Sequence, residues 1–253
     1  ASPAFTGAAL SPAGKYLAVR FAAKGSRQGL AVIDLATRAA TPLARFDDSD
    51  IGKFQWISDE RLVLDTIDVR TGVADRVLGP GLWAVNRDGS NFRQLIATNR
   101  QGSGKSFGSE VQPWNSFLLH VSPKKDAEAV YIQRTNYVNQ VNSVEVLKLN
   151  TMTGRATPVQ RPARSGRWMF DHSGEPRLVL ELENGQQTIH YRDPAMDNEW
   201  RKLISFEAYK NPLLTPVGFG PDGSLYVSAA RDGDKQALYK FDLKTAQLAA
   251  EPL

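Results

Sequence analysis

A short segment rich in glycine and serine contains the closest match in this sequence to a catalytic motif. Gly104-Lys105-Ser106-Phe107-Gly108 fits the Gly-x-Ser-x-Gly pattern, in which a sharp strand-to-helix turn exposes a serine nucleophile beside an oxyanion hole. The preceding residues 98–103 are polar and do not form the buried strand that this turn requires, and Pro113 follows without a helical period. We therefore interpret the segment as a loop, and Ser106 as a loop residue.

The same segment ends like a phosphate-binding loop, with Gly104-Lys105-Ser106. The leading glycine of that motif would fall at position 99, which is Asn99, and no strand followed by a helix frames the segment. Nucleotide binding is therefore not predicted.

Histidine and aspartate residues give weak signals for metal binding. Three histidines are far apart in the sequence: His120, His172 and His190. Asp171-His172 lies where a turn is expected and His190 lies in a strand-like run, so we interpret both as structural. Asp47, Asp48 and Asp50 carry the oxygen ligands that calcium prefers, but without a regular ligand spacing, which favours a solvated loop. The sequence thus predicts no catalytic residue, no metal ligand and no cofactor.

Four of the five tryptophans support a core or a surface interpretation. Trp56, Trp83 and Trp168 lie in or beside strand-like runs and are predicted to pack in a core. Trp114 lies beside the polar segment and is the better candidate for an exposed contact residue.

Length and composition exclude several classes of protein. The chain has 253 residues, a net charge of +4 and no cysteine, which removes zinc fingers, iron–sulfur clusters and cysteine catalysis. Its longest apolar run is too short to span a membrane. The basic residues are scattered and do not alternate with aromatic residues, so no nucleic-acid partner is predicted.

A repeat of about 48 residues accounts for nearly the whole chain. Five β-rich runs start 45, 68, 48 and 47 residues apart: 16–20, 61–65, 129–133, 177–181 and 224–228. A second run follows each of them: 30–34, 82–86, 143–147, 188–192 and 237–241. Each unit therefore contains the same succession of strands.

Turn residues complete the unit. Ser11-Pro12-Ala13-Gly14 and Gly220-Pro221-Asp222-Gly223 each precede a strand of the first set, and Asn184-Gly185 is a strong hairpin signal. Each unit therefore reads as four antiparallel strands.

Four strands repeating every 40 to 50 residues are typical of a β-propeller blade. A β-sandwich is the alternative, but it would not show this long-range self-similarity. We predict an all-β fold, a single β-propeller domain over 1–253, with about five blades of a truncated seven- or eight-bladed propeller. The blades are predicted at approximately 5–45, 52–97, 114–161, 165–206 and 213–252, with a long insertion at 98–113.

Three segments resemble the bacterial prolyl oligopeptidase family of serine peptidases. Residues 10–19, LSPAGKYLAV, are similar to the first blade of that family; 54–63, FQWISDERLV, and 82–95, LWAVNRDGSNFRQL, are similar to the second. Propellers similar to TolB share the Ser-Pro-Asp-Gly type of turn. Ala13 replaces the usual aspartate of that turn and Gly220 the usual serine.

The resemblance implies a non-catalytic propeller that gates the access of short peptides to a C-terminal α/β-hydrolase domain absent from this chain. Its partners would be that domain, in the same polypeptide, and the peptide substrate. The alternative is a free-standing, TolB-like propeller that binds a protein. A third possibility, a propeller lactonase or glycosidase, would need converging carboxylates or metal ligands, and this sequence contains no recognisable set of them.

Two expectations concern the ends of the chain. The sequence begins Ala1-Ser2-Pro3 without methionine, which favours a removed signal peptide and a periplasmic or secreted location over a cytoplasmic one. Five blades of a larger ring would leave two sheet faces uncovered, so the isolated chain is expected to be an open arc or to self-associate.

Overall fold

The computed structural model describes residues 5–72, 74, 78–99, 111–122, 124, 127–136, 143–162, 166–208, 214–230 and 235–253. These residues form five four-stranded antiparallel sheets, each made from four strands that are consecutive in the sequence. The first sheet contains β1 (Phe5–Leu10), β2 (Tyr16–Phe21), β3 (Gly29–Asp34) and β4 (Ala40–Ala44). The second contains β5 (Asp50–Trp56), β6 (Arg61–Ile67), β7 (Pro80–Asn86) and β8 (Arg93–Thr98).

The other three sheets repeat this order. The third contains β9 (Ser116–His120), β10 (Ala129–Asn136), β11 (Ser143–Asn150) and β12 (Ala156–Pro158). The fourth contains β13 (Arg167–Phe170), β14 (Pro176–Glu183), β15 (Gln186–Asp193) and β16 (Glu199–Glu207), with a short 3-10 helix, Pro194–Met196, before β16. The fifth contains β17 (Thr215–Phe219), β18 (Leu225–Ala229), β19 (Ala237–Asp242) and β20 (Gln247–Leu248). The two sets of predicted runs are the second and third strands of the five sheets.

The predicted turns have the backbone geometry that their residues favour. Asn184 and Gly185 have φ values of 50° and 76°, and they join β14 to β15 as a two-residue hairpin loop. Positive φ at both loop residues matches the right-handed twist of the flanking strands, and Asn-Gly tolerates it best. Gly14 and Gly223 also have positive φ, and each closes its turn with a backbone hydrogen bond to residue 11 or 220.

The chain forms two compact units. The first comprises Ala1–Arg134 and Val146–Val159, and the second comprises Thr135–Glu145 and Gln160–Leu253. The interpretation of the chain as one domain stays a prediction.

Apolar side chains between neighbouring sheets form the core of the first unit. One cluster joins the first and second sheets and includes Leu30, Ile51, Leu62, Trp56 and Trp83. A second cluster joins the second and third sheets and includes Val63, Leu82, Leu95, Ile132 and Leu149. Both faces of the second sheet are therefore buried, which explains its nearly continuous apolar strands.

The second unit is built in the same way. Its cluster joins the fourth and fifth sheets and includes Leu178, Ile189, Leu225, Val227 and Phe241. Trp168 is buried at the edge of the fourth sheet, and its ring meets that of Trp200 edge-on at 5.8 Å. The burial of Trp56, Trp83 and Trp168 predicted from the sequence is confirmed.

A buried arginine links the second sheet to the third. Arg61, at the start of β6, is only 3% exposed. Its Nε donates to Thr151 Oγ1 at 2.9 Å and its Nη2 donates to Thr151 O at 2.7 Å. Its Nη1 donates to Asn86 Oδ1 and to Asn91 O, within the second sheet and its last turn. Burial, with the nearby charge of Arg93, lowers the pKa of Arg61 to about 10, so the side chain remains charged at neutral pH.

The last residues of the long insertion are attached to the same two sheets. Gln112 forms a parallel bridge with Ile96 of β8. Its side chain accepts from Arg134 Nη2 at 2.7 Å and donates to Gly154 O at 3.2 Å. The described end of the insertion is thus held by both the second and the third sheet.

Among the described residues, no helix has the length and apolar character needed to cross a membrane.

Candidate functional site

Several polar side chains of the first unit lie near the ends of β2 and β6, the second strands of the first two sheets. This end is positioned by bulges in β1 and β5, which interrupt pairing at Thr6 and at Gly52-Lys53. A bulge leaves backbone groups outside the ladder. Arg20, near the end of β2, binds several of these groups. It donates to Thr6 Oγ1, Thr6 O, Ile51 O and Gly52 O, at 2.7 to 3.2 Å.

An arginine between two aspartates braces this end of the two sheets. Arg27 Nη1 donates to Asp50 Oδ2 at 2.8 Å and to Asp68 Oδ1 at 2.7 Å. Asp50 is 1% exposed, and it also accepts from the N–H groups of Gln28 and Val69. The three ionised groups therefore leave one net negative charge.

These contacts hold both carboxyl groups in the ionised state. The hydrogen bond from Arg27, followed by that from Thr71, lowers the pKa of Asp68 to about 2. At Asp50, burial raises the pKa, but the N–H of Gln28 and the Arg27 side chain more than offset it, so the pKa falls below its usual value. Both carboxylates are structural counter-ions of Arg27.

Asp65 lines the same end of the second sheet, but its pKa is shifted in the opposite direction from those of Asp50 and Asp68. It is half-buried near the end of β6, and its Oδ1 accepts from Lys53 N at 2.6 Å. Lys53 N is available because the β5 bulge removes it from the ladder. Burial raises the pKa of Asp65 to about 6, against the lowering effect of the Lys53 N–H and of the Lys53 and Arg20 charges. The Asp65 carboxyl group therefore takes up a proton as the pH falls through about 6.

Two cavities share Asp65 in their walls. The larger, of about 760 Å³, opens between the ends of the first and second sheets. The smaller, of about 500 Å³, lies between the second and third sheets. Lys53, Asp65 and Pro80 line both cavities. Ligand-binding cavities commonly have volumes of about 300 to 1,000 Å³ and carry a few polar groups, so this is the candidate functional site.

The two cavities differ in their other walls. Phe46 and Trp83 form an aromatic side of the larger cavity, with ring centroids 5.0 Å apart. His120, Gln55 and Gln133 line the smaller cavity together with apolar residues of β6, β7 and β9. The larger cavity is thus suited to a ligand with an aromatic contact, and the smaller one to a hydrogen-bonding ligand.

Gly52 makes the position of Asp65 possible. A Cβ at Gly52 would collide with Asp65 Oδ1, so a side chain there is incompatible with the Lys53–Asp65 hydrogen bond. We expect Gly52→Ala to lower the free energy of unfolding by about 2 kcal/mol, as overpacking does. Urea unfolding measures the loss. Gly218→Ala is the matched control, because Gly218 also borders a bulge in a first strand but has open space around it. Equal losses in the two variants would contradict this steric account.

The three histidines lie in separate elements. His120 is in β9 at the smaller cavity, and His172 is exposed in the turn before β14. His190 lies in β15, and its Nε2 is 3.0 Å from Glu181 Oε2. No group of three or more histidine, aspartate or glutamate side chains in the described ranges could hold a metal ion.

The other residues considered from the sequence fall at several places. Asp47 and Asp48 are exposed, whereas Asp50 is buried against Arg27. Trp114 is half-buried, and its ring packs close to Gly79. Gly104-Lys105-Ser106-Phe107-Gly108 lies outside the described residues.

Sequence reasoning missed Asp65. Its one signal is a carboxylate at the end of the apolar run Leu62-Val63-Leu64, with no oppositely charged residue immediately beside it in the sequence. A charged residue that ends a buried strand is commonly solvated. The bulge in β5 that gives Asp65 its partner was not predicted.

Comparisons by sequence give no match to a protein-family model, and no match to a curated protein. Comparisons by structure give several propeller-containing proteins. A prolyl endopeptidase superposes with a TM-score of 0.59 at 9% identity, over 94% of this chain and 34% of that one. An oligogalacturonate lyase in complex with manganese superposes with a TM-score of 0.56 at 17% identity, over 98% and 65%. An acylaminoacyl peptidase has a TM-score of 0.50 at 13% identity, over 94% and 37%.

These similarities establish the fold class. The chain is an all-β propeller of four-stranded antiparallel blades, with five blades present, as the repeat predicted. The prolyl endopeptidase and the acylaminoacyl peptidase share this fold with the chain. The chain spans 34% to 65% of the length of these three proteins.

Proposed function

We propose that this chain is the non-catalytic propeller domain of a serine peptidase of the prolyl oligopeptidase family. In this role it controls the access of short peptides to an α/β-hydrolase domain in the same polypeptide. The observation that carries the proposal is the superposition of 94% of this chain on about one third of a prolyl endopeptidase, together with the blade motifs at 10–19, 54–63 and 82–95.

The described blades suit a scaffold that selects by size. Neighbouring sheets in each unit are joined by continuous apolar clusters, and in the first unit also by Arg61 and Arg27. Close-packed interfaces of this kind resist deformation, so the described strand ends keep fixed positions. A rigid wall of this kind admits an extended peptide and excludes a folded protein, while bond cleavage is done by the hydrolase domain.

The first experiment is to sequence the reading frame on both sides of this segment. We expect further blades and then a Gly-x-Ser-x-Gly elbow, an aspartate and a histidine after Leu253, and a signal peptide before Ala1 that directs export. A stop codon soon after Leu253 would overturn the proposal, and a free-standing binding propeller would take its place.

The second experiment tests selection by size on the full polypeptide. We expect it to hydrolyse a short chromogenic peptide, and to leave the same sequence uncut in a surface loop of a folded protein. The variant with alanine at the elbow serine is the control, because it removes the nucleophile but leaves the propeller unchanged. Equal cleavage of the two substrates would contradict gating while leaving peptidase activity in place.

A further inference from the structure

The carboxyl group of Asp65 has unused capacity to accept hydrogen bonds. Among the described residues its one hydrogen-bond donor is Lys53 N, which binds Oδ1. An ionised carboxylate can accept about four hydrogen bonds, and a partly buried one is unfavourable without donors. A ligand that brings a donor to Asp65 would therefore pair with a partly buried carboxylate that has one donor from the described part of the fold.

The charged groups at the larger cavity have a net negative charge, which favours a positive ligand over a negative one. The carboxylates at the larger cavity are those of Asp48, Asp65 and Asp68, and the cations are Arg20 and Lys53. Arg20 uses four of its five N–H donors within the fold, so it has little capacity left to bind an anion. Arg27 is shared by Asp50 and Asp68, which leaves that group with a negative charge.

The aromatic side of the cavity supplies a second feature for a cation. Phe46 and Trp83 line the larger cavity, which Asp65 also lines. An aromatic face attracts an ammonium or guanidinium group through its quadrupole, and tryptophan does so most strongly. The volume of about 760 Å³ accommodates a ligand of the size of one or two amino acids.

We propose that the cavity bordered by Asp65, Phe46 and Trp83 binds an organic cation, an alkylammonium or guanidinium group that pairs with the Asp65 carboxylate. This site goes beyond the gating role and does not depend on it. The cation can be a basic side chain or the amino terminus of a peptide, which present the same chemistry.

Calorimetric titration of this chain at pH 7.5 with three small probes tests the proposal. Nα-acetyl-arginine amide carries its charge on the side chain, leucine amide carries it on the α-amine, and Nα-acetyl-leucine amide is neutral. We expect at least one cationic probe to bind at least about tenfold more tightly than the neutral probe. Which one binds identifies the source of the cation. If neither binds more tightly than the neutral probe, the proposal is wrong.

Asp65→Asn is the decisive variant. The amide oxygen can still accept from Lys53 N, but the charge is gone, so binding of the cation should fall at least tenfold. A merely structural role for Asp65 would instead lower the melting temperature, whereas we expect it to stay the same or rise. Asp47→Asn is the matched control and should bind like the original chain, because Asp47 is exposed and precedes the wall residue Asp48 but does not itself line the cavity. Unchanged affinity in Asp65→Asn would overturn the proposal.

The pH dependence of binding gives a further test, made first on the original chain. Binding of the cation by the original chain should weaken several-fold between pH 7.5 and pH 5, as the Asp65 carboxyl takes up a proton. His120 lines the neighbouring cavity, so the comparison is repeated with Asp65→Asn to separate the two groups. Affinity that does not change with pH in the original chain, or that changes equally in Asp65→Asn, would contradict the assignment.

Discussion

Replacing Arg61 with alanine is expected to lower the free energy of unfolding by about 3 kcal/mol. The change removes the hydrogen bonds to Thr151, Asn86 and Asn91. Thr151 is fully buried, so water cannot replace the lost donor at its carbonyl oxygen. An orphaned buried acceptor costs about 1 to 3 kcal/mol, and loss of the packed side-chain stem adds to it. Alanine also removes a buried positive charge, whose unfavourable energy is reflected in the lowered pKa of Arg61. This gain offsets only part of the lost stability.

Urea denaturation measures the effect, and Arg93→Ala is its control. Arg93 also reaches from the second sheet to the turn after β11, but through one contact, at 3.4 Å, with Thr153 O. Its loss should cost about 0.5 kcal/mol or less, as is usual for a weak, solvent-facing contact. If Arg61→Ala is no less stable than Arg93→Ala, the hydrogen bonds of Arg61 do not hold the two sheets together.

Replacing Asp65 with asparagine is expected to stabilise the fold at pH 7.5, by up to about 3 kcal/mol. The folded-state pKa of Asp65 is about 6, whereas its ordinary value is 3.8. Each pKa unit corresponds to about 1.4 kcal/mol between the two protonation states. Above pH 6 the folded chain must hold a charge that the unfolded chain solvates better. Asparagine has the shape of the protonated carboxyl group and does not carry this cost.

The pH dependence of the difference follows from the direction of the shift. Below about pH 4 the carboxyl group is protonated in both states and contributes no difference. Between about pH 4 and pH 6 the unfolded chain has already released the proton that the folded chain retains, so stability falls as the pH rises. The advantage of Asp65→Asn over the original chain should therefore grow from near zero at pH 4 to its full value above pH 6.

Urea unfolding of both proteins at pH 4, 5, 6 and 7.5 isolates this effect. The lowered pKa values of Asp50 and Asp68 make both proteins less stable as the pH falls through the acidic range. Because this loss is the same in both, it drops out when the free energy of unfolding of the original chain is subtracted from that of Asp65→Asn. A difference that is constant with pH, or that shrinks as the pH rises, would show that Asp65 is not destabilised by burial. Greater stability with loss of cation binding would mean that a ligand site is maintained at a cost to the fold.

The sequence by itself determined the blades. Alternating and apolar runs with β-branched residues, separated by turns such as Asn184-Gly185 and Gly220-Pro221-Asp222-Gly223, specify strands and hairpins through local conformational preference and the two-residue period of a strand. A four-stranded meander contains contacts between neighbouring segments only. Its repetition along the chain was therefore visible without knowledge of the tertiary structure.

Only the tertiary structure decided which polar residues came together. Asp65 meets Lys53 across a β5 bulge, Arg27 meets Asp68 between two sheets, and Arg61 reaches Thr151, 90 residues away. Whether each charge is solvated, paired or left with an unused acceptor depends on burial and on partners from other elements, which no local pattern encodes. For this reason the sequence predicted the scaffold closely, while the candidate site became visible only in the folded chain.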